Sequence, residues 1–412
     1  MGSTLTEKIL ANASHKKKVV PGDFIVADVS YVMAHDSTAP LAIEGFYNIT
    51  DKVFDTDRVI IVFDHFFPSP SVAGATLHQK VRKFVMDQHL SGFFTNGVCH
   101  QLLVENFVSP GDVVVGADSH TCTEGALGAF ASGLGSTDIG GAMATGKCWF
   151  KVPESLKFDL TGSLQKGVYA KDVILNIVGN VGAAGALYKA CEFTGDYVKN
   201  ASVSSRLTLC NMAIEMGGKN GIIEADQKTL EFLGGREGRI FRSDKDAVYE
   251  DEYEIDVSRI EPQVALPSAV DNVEPVSAVE GRKIDQAYLG TCTNGRLEDL
   301  EVAAKILKGK RIAKNVRLIV SPASQDIYLE ASKMGYLEDL VKAGGTICNP
   351  SCGPCIGRHE GVLCERETCL SSQNRNFSGR MGSPEADIIL GSPATVAASA
   401  VAGKIVDPRD YL

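Results

Sequence analysis

The sequence predicts an α/β fold. Three observations carry that prediction: short β-branched runs recur along the chain, longer amphipathic segments separate them, and polar clusters follow directly on several of the runs. Buried parallel strands and their helical crossovers produce this alternation. The first candidate strand, Val59–Phe63, runs into Asp64-His65. The second, Val113–Val115, is followed by Gly116-Ala117-Asp118-Ser119-His120, and the third, Ile284–Leu289, by Gly290-Thr291-Cys292-Thr293-Asn294. Val316–Val320 and Ile388–Leu390 complete the set. In open α/β sheets, ligands bind beyond the carboxyl ends of the strands, and three polar clusters occupy that position here. The segment Gly125 to Gly146 contains Gly133-Leu134-Gly135 but has Asp138 where a nucleotide loop needs its third glycine. Close helix packing through small residues is the expected role of this segment.

The chain has 412 residues with 41 Lys+Arg against 51 Asp+Glu, a net charge of −10, which argues against a nucleic-acid partner. No apolar stretch reaches the roughly 18–20 residues a spanning helix needs, and no secretory apolar region is present. The expectation is a globular protein with no membrane partner, in a reducing cytoplasm where its eleven cysteines serve metal binding, catalysis or packing. Two interruptions divide the chain: Val152-Pro153-Glu154, and a polar, proline-marked connector from Asp244 to Pro275. They predict domains over residues 1–153, 154–272 and 273–412.

Cys352-Gly353-Pro354-Cys355 places two thiols within reach of one metal. Spacing alone leaves an iron–sulfur site, a structural zinc and a redox dithiol open, with Cys364 and Cys369 available as the second pair of a zinc module. Cys292 favours the first, because it sits at a strand end between two threonines and beside Asn294. A four-iron cube held by three cysteines has one iron free to act as a Lewis acid on a hydroxyl. Cys99, Cys122, Cys148, Cys191, Cys210 and Cys348 are expected to be small buried residues.

Among eight histidines, His65 beside Asp64, His120 in Asp118-Ser119-His120, and His100 after Cys99 stand in polar company. A carboxylate-oriented imidazole suits general acid work. His15, His78 and His89 read as solvent-facing, and His35-Asp36 and His359 are undecided on these grounds. Arg375 and Arg380, in Asn374-Arg375-Asn376-Phe377-Ser378-Gly379-Arg380, offer two guanidinium forks suited to a di- or tricarboxylic acid. A surface salt-bridge loop is the alternative.

Gly116–Thr123, Gly290–Asp299, Asn349–Gly357 and Asn374–Arg380 together resemble the aconitase superfamily, and within it the large subunits of the two-subunit isopropylmalate dehydratase type. The likeness runs over nearly the whole chain. It implies a three-domain α/β/α architecture around a cluster-containing cleft, without the mobile fourth domain of full-length aconitases. It also implies a [4Fe-4S] cluster on Cys292, Cys352 and Cys355 with one open iron, leaving Cys364 and Cys369 as ordinary cysteines. His65 with Asp64 resembles the acid that protonates the departing hydroxyl, His100 a histidine paired with Asp118, and His120 one paired with Glu192. Ser119 matches a substrate-contacting serine, Asn374 a residue near the cluster, and Arg375 and Arg380 arginines near cluster and substrate carboxylate.

The implied activity is that of a hydro-lyase that moves a hydroxyl between neighbouring carbons of a hydroxy acid. The catalytic base is then expected on a separate small subunit. Isopropylmalate, in leucine biosynthesis, is the first expectation for substrate. Homoaconitase and methyl- or dimethylmalate dehydratases are close relatives, and Phe66-Phe67-Pro68 after the catalytic pair reads either as an apolar wall or as lineage drift. The competing classes are a zinc-stabilised binding protein without chemistry and an electron-transfer iron–sulfur protein, the latter weakened by the missing fourth cysteine. An RNA-binding role is disfavoured by the net charge.

Overall fold

A computed structural model describes residues 2–412 as an α/β protein built around three mainly parallel sheets. The first has five parallel strands in the order Gly92–Phe94, Val59–Val62, Tyr31–His35, Val113–Gly116, Phe130–Gly133. Val59–Val62 and Val113–Gly116 are buried along their whole length, as strands covered on both faces must be. The chain winds outward in both directions from Tyr31–His35, so strand order reverses between that strand and Val113–Gly116. Asp36 and Asp118-Ser119-His120 emerge at this switch point.

The second sheet is also all parallel, in the order Asn220–Ile222, Ala190–Thr194, Ser155–Thr161, Asp251–Asp256. Its last strand lies in the stretch expected to be a connector. That strand, Asp-Glu-Tyr-Glu-Ile-Asp, leaves its carboxylates at a sheet edge while Tyr253 stacks on Phe158 at 4.9 Å, so a polar composition here marks an edge strand rather than a link.

The third sheet has seven strands. Five are parallel, in the order Asp387–Gly391, Thr368–Ser371, Gln286–Gly290, Arg317–Ser321, Thr346–Ile347, and the antiparallel pair Gln263–Ala265 and Val273–Pro275 extends one edge. The end of the expected connector therefore contributes two strands to this sheet. Its order reverses between Gln286–Gly290 and Thr368–Ser371, which brings the Cys292 turn and the Ser372–Asn374 loop to a second switch point.

One apolar core joins the units, running from Met33 and Val62 through Phe158 and Phe193 to Tyr288 and Ile388. The Cys352 amide donates to the Asp64 carbonyl at 2.8 Å, and the Val98 amide to the Ala323 carbonyl at 2.8 Å, tying the first sheet's loops to the third's. Among the described residues, no helix is long and apolar enough to cross a membrane.

The glycine-rich segment packs closely, as its composition suggests. Helix Ser136–Thr145 crosses helix Ala39–Tyr47 at Gly140, where a β-carbon would lie 2.4 Å from the Ala42 carbonyl oxygen; at Gly141 the nearest atom would be 3.9 Å away. Gly140→Ala is therefore expected to destabilise by about 1–3 kcal/mol through overpacking, despite alanine's better helix propensity. Gly141→Ala is expected to be neutral or stabilising. Urea unfolding checks the contrast: a lowered midpoint for Gly140→Ala and an unchanged or raised one for Gly141→Ala.

Candidate active site

Asp118 lies at the centre of the polar residues that the two switch points deliver. Its Oδ1 faces His100 Nε2 at 2.9 Å and accepts the His120 backbone N–H at 2.7 Å, while its Oδ2 lies 3.4 Å from His35 Nε2 and 3.5 Å from His65 Nε2. His35 and His65 stack face to face, with centroids 3.7 Å apart. Each imidazole is fixed at its other nitrogen. His65 Nδ1 bonds Asp64 at 2.6 Å, His100 Nδ1 bonds Glu124 at 3.1 Å, and His35 Nδ1 accepts from the Ser37 amide at 3.3 Å. Asp64 in turn accepts the Cys99 amide at 2.8 Å, and Asp36 accepts the His65 and Phe66 amides at 3.0 and 2.8 Å. Ser119 Oγ is 3.3 Å from His120 Nδ1.

Two expectations about individual residues need correction. His120 pairs with Glu215, not Glu192: its Nε2 is 2.8 Å from Glu215 Oε1, which also accepts from Arg375 Nε at 2.8 Å. Glu192 is buried on the strand Ala190–Thr194, where Ser243 and the Tyr249 hydroxyl donate to its carboxylate at 2.7 and 2.9 Å. Nor is His78 solvent-facing. It is buried, bonds Asp36 at 2.9 Å and stacks on Phe63 at 4.2 Å, because its helix turns that face inward. His15 and His89 are exposed. His359, undecided from sequence, lies against Gly353 in the Cys352–Cys355 turn.

The three cysteines singled out in the sequence are buried together with amide and guanidinium donors. Asn211 Nδ2 and Asn374 Nδ2 reach Cys292 Sγ at 3.2 and 3.5 Å, Cys355 Sγ is 3.8 Å from Asn374 Oδ1, and Arg380 donates to Cys355 Sγ at 3.7 Å. Cys352 and Cys292 pack in one cluster with Val98. Donors aimed at sulfur suit anionic thiolates, and Arg380 Nε is buried without a partner, so this donor set fits a thiolate-bound metal group. Cys364 is exposed while Cys369 is buried within its strand, so the second pair that a zinc module requires is split between solvent and sheet. The six other cysteines are all buried.

The Cys292 turn is strained. Thr291, β-branched and fully buried, has φ +77°, and Gly290 before it has φ +155° with no room for a side chain against Ser321. Buried Arg296 holds the turn from behind: it donates to the Thr293 carbonyl at 2.7 Å and to the Cys292 carbonyl, and its Nε bonds Gln101 at 3.1 Å. Sequence reading missed Glu215, Asn211, Arg296 and the position of His35. The first two lie in an apolar helical segment with no strand-end signature. The adjacent pair His35-Asp36 was the one available signal.

Electrostatics follow from the pairings. Burial alone would pull the His65 imidazolium down, but Asp64 and Asp118 outweigh it and carry His65 from 6.5 up to about 10. Burial likewise works against ionised Asp118, yet His100, His120 and His35 hold it well below the usual carboxylate range. Glu215, also opposed by burial, is held low by His120 and Arg375. Burial pushes Glu124 up to about 6 despite His100. The raised His65 value contributes stability that is fully present below its unfolded value near 6.5 and is lost as pH rises through about 10. An NMR titration of selectively labelled histidine is expected to show His65 protonated through neutral pH. In Asp64→Asn, where burial is less opposed, its midpoint should fall by at least one unit.

The model of the aconitase family (aconitate hydratase) matches residues 7–403. A probable 3-isopropylmalate dehydratase large subunit of Methanothermobacter thermautotrophicus is 53% identical, over 99% of each chain. The 3-isopropylmalate dehydratase large subunit 1 of Methanopyrus kandleri is 52% identical over the full length of both. A probable methanogen homoaconitase large subunit of Methanosarcina mazei is 53% identical, over 93% of this chain and all of its own. An iron–sulfur cluster is implied by this kinship. With the family model covering nearly all of the chain and relatives above half identity end to end, the protein belongs to the aconitase family of hydro-lyases.

Proposed function

We propose that the chain is the large subunit of 3-isopropylmalate dehydratase, interconverting 2- and 3-isopropylmalate by dehydration and rehydration in leucine biosynthesis. The observation that carries this reading is the Asp64–His65 pair and Asp118 tied by loop hydrogen bonds to a set of three buried cysteines and two half-buried arginines. The relatives named as isopropylmalate dehydratases support the substrate. Homoaconitase is the second reading, supported by a relative of equal identity bearing that name. Cys292, Cys352 and Cys355 would hold a [4Fe-4S] cluster, which supplies a Lewis acid for the hydroxyl oxygen when bound.

The chain's own residues divide the remaining work. Protonated His65, kept charged by Asp64, gives its Nε2 proton to the departing hydroxyl, so that water leaves rather than hydroxide. Asp118 orients that nitrogen and keeps His100 and His35 in place around it. Arg380 and Arg375 take substrate carboxylates, with Glu215 fixing the Arg375 fork, and Ser119 lies beside His120 for a further polar contact. The carbon-bound proton goes to a base on a separate small subunit, as the large-subunit names of the relatives suggest. Hydration at the neighbouring carbon reverses both proton transfers.

The purified chain is expected to show no turnover until its small subunit is added. In the assembled enzyme, His65→Asn should lower kcat by about 10²–10⁴-fold. Arg380→Lys should lower kcat/KM by at least about ten-fold, through loss of the planar fork. Assays with isopropylmalate, homocitrate or homoaconitate, and 2-methylmalate identify the substrate. Activity of the isolated chain, or a clear preference for homoaconitate, contradicts the corresponding part of this reading.

A further inference from the structure

Lys171, in the first turn of the helix Ala170–Val181, is fully buried. A buried ammonium is costly unless its surroundings use it. Its Nζ donates to the Ser372 carbonyl at 2.8 Å and the Gln373 carbonyl at 2.5 Å, the two residues immediately before Asn374 and Arg375. Among the described residues, no carboxylate lies within ion-pair distance of it. Its sequence neighbour Asp172 turns instead to the Tyr169 and Gln263 amides, at 2.8 and 2.9 Å. Among the negative groups that bear on Lys171 are Asp299, Asp172 and the thiols of Cys292 and Cys355. Burial outweighs them and brings its ammonium down to about 7 in the absence of a bound group.

The two carbonyls also belong to a braced loop. The Gly290 amide donates to Ser372 Oγ at 3.0 Å, which links the loop to the strained turn before Cys292, and Gln373 Nε2 donates to the Arg375 carbonyl at 2.6 Å. One side chain from the second sheet's helix layer thereby fastens both loops at the third sheet's switch point. A packing role alone needs no charge there. Methionine fills similar volume without the desolvation penalty.

We propose that Lys171 is a positioning residue: its buried ammonium fixes the Ser372–Gln373 carbonyls, and through them Asn374, Arg375 and the Cys292 turn, and it supplies positive charge behind the anionic group those residues hold. The charge part of this rests on the cluster reading given above; the loop-fixing part does not. Three measurements on the full-length chain test it, using Lys171→Met, which removes charge and donors, and Lys171→Arg, which keeps both.

In the apo chain, amide hydrogen exchange over residues 371–376 should be at least ten-fold faster in Lys171→Met than in the parent. Exchange over Val59–Val62 should be unchanged, and Lys171→Arg should restore most of the protection. After anaerobic reconstitution with iron and sulfide, Lys171→Met should lose iron to a chelator at least ten-fold faster. The midpoint potential of whatever cluster remains should move to more negative values, with Lys171→Arg again close to the parent. Should Lys171→Met not accumulate folded, Lys171→Leu, which likewise removes charge and donors, is read in the same way. If neither neutral variant folds, a Lys171→Arg chain with parental fold but unprotected residues 371–376 counts against the proposal, and one with parental protection supports it.

Parental exchange and iron retention in a folded neutral variant would overturn the assignment. A parent chain that takes up no iron defeats the cluster reading instead, and the exchange data still decide whether Lys171 fixes the loop.

Discussion

A carboxylate can stay ionised in a protein interior only when donors surround it, and Asp118 imposes that condition on the whole polar centre. Its oxygens gather His100, His35, His65 and the His120 amide. Each of the imidazoles so recruited then needs a partner on its far nitrogen, which draws in Asp64, Glu124 and the Ser37 amide. The network grows outward until it meets backbone amides. Because each imidazole is held at both nitrogens, the charges sit at fixed positions, and Asp64 and Asp118 keep His65 protonated where a solvated imidazole would not be.

The same logic governs the sulfur side. Thiols facing two amides and a guanidinium are arranged for negative charge, and the backbone that presents Cys292 departs from relaxed geometry to place it there. Strain of this kind persists only where surrounding contacts over-determine the conformation. Arg296 grips the turn through its carbonyls, and Lys171 fixes the loop beside it. Both are buried cations bonded to backbone oxygens. They hold the site through the main chain and leave the side chains of Asn374, Arg375 and Arg380 free to face it.

Two sheets that reverse their strand order explain why the halves meet. In the parallel part of each, the chain starts near the middle and winds outward both ways, and ligands in such sheets bind past the carboxyl ends of the two central strands. One switch point carries the histidines and carboxylates; the loops of the other sheet carry the cysteines and arginines. Hydrogen bonds between their loops, such as Cys352 to Asp64, bring the two into a single site. The second sheet lends Glu215 and Lys171 from its helical layer rather than from its strand ends.

The α/β class, the parallel strands and the strand-end clusters were legible in the sequence, because β-branched runs and the polar residues just after them are local features that bury or expose themselves wherever the chain goes. Asp64, His65, Asp118, His120 and Cys292 stand out in the sequence for that reason, and Cys352 and Cys355 for their C-x-x-C spacing. The partner of His120 was not. Glu192 came only from the family resemblance, and its side chain is buried against Ser243 and Tyr249, whereas Glu215 sits in an apolar helical turn with nothing local to mark it. The same holds for Lys171, Arg296 and the inward face of His78. Which carboxylate meets which imidazole, and which cation is buried behind which loop, depends on contacts between residues far apart in sequence. Those contacts exist only once the three sheets have packed, and only tertiary structure decides them.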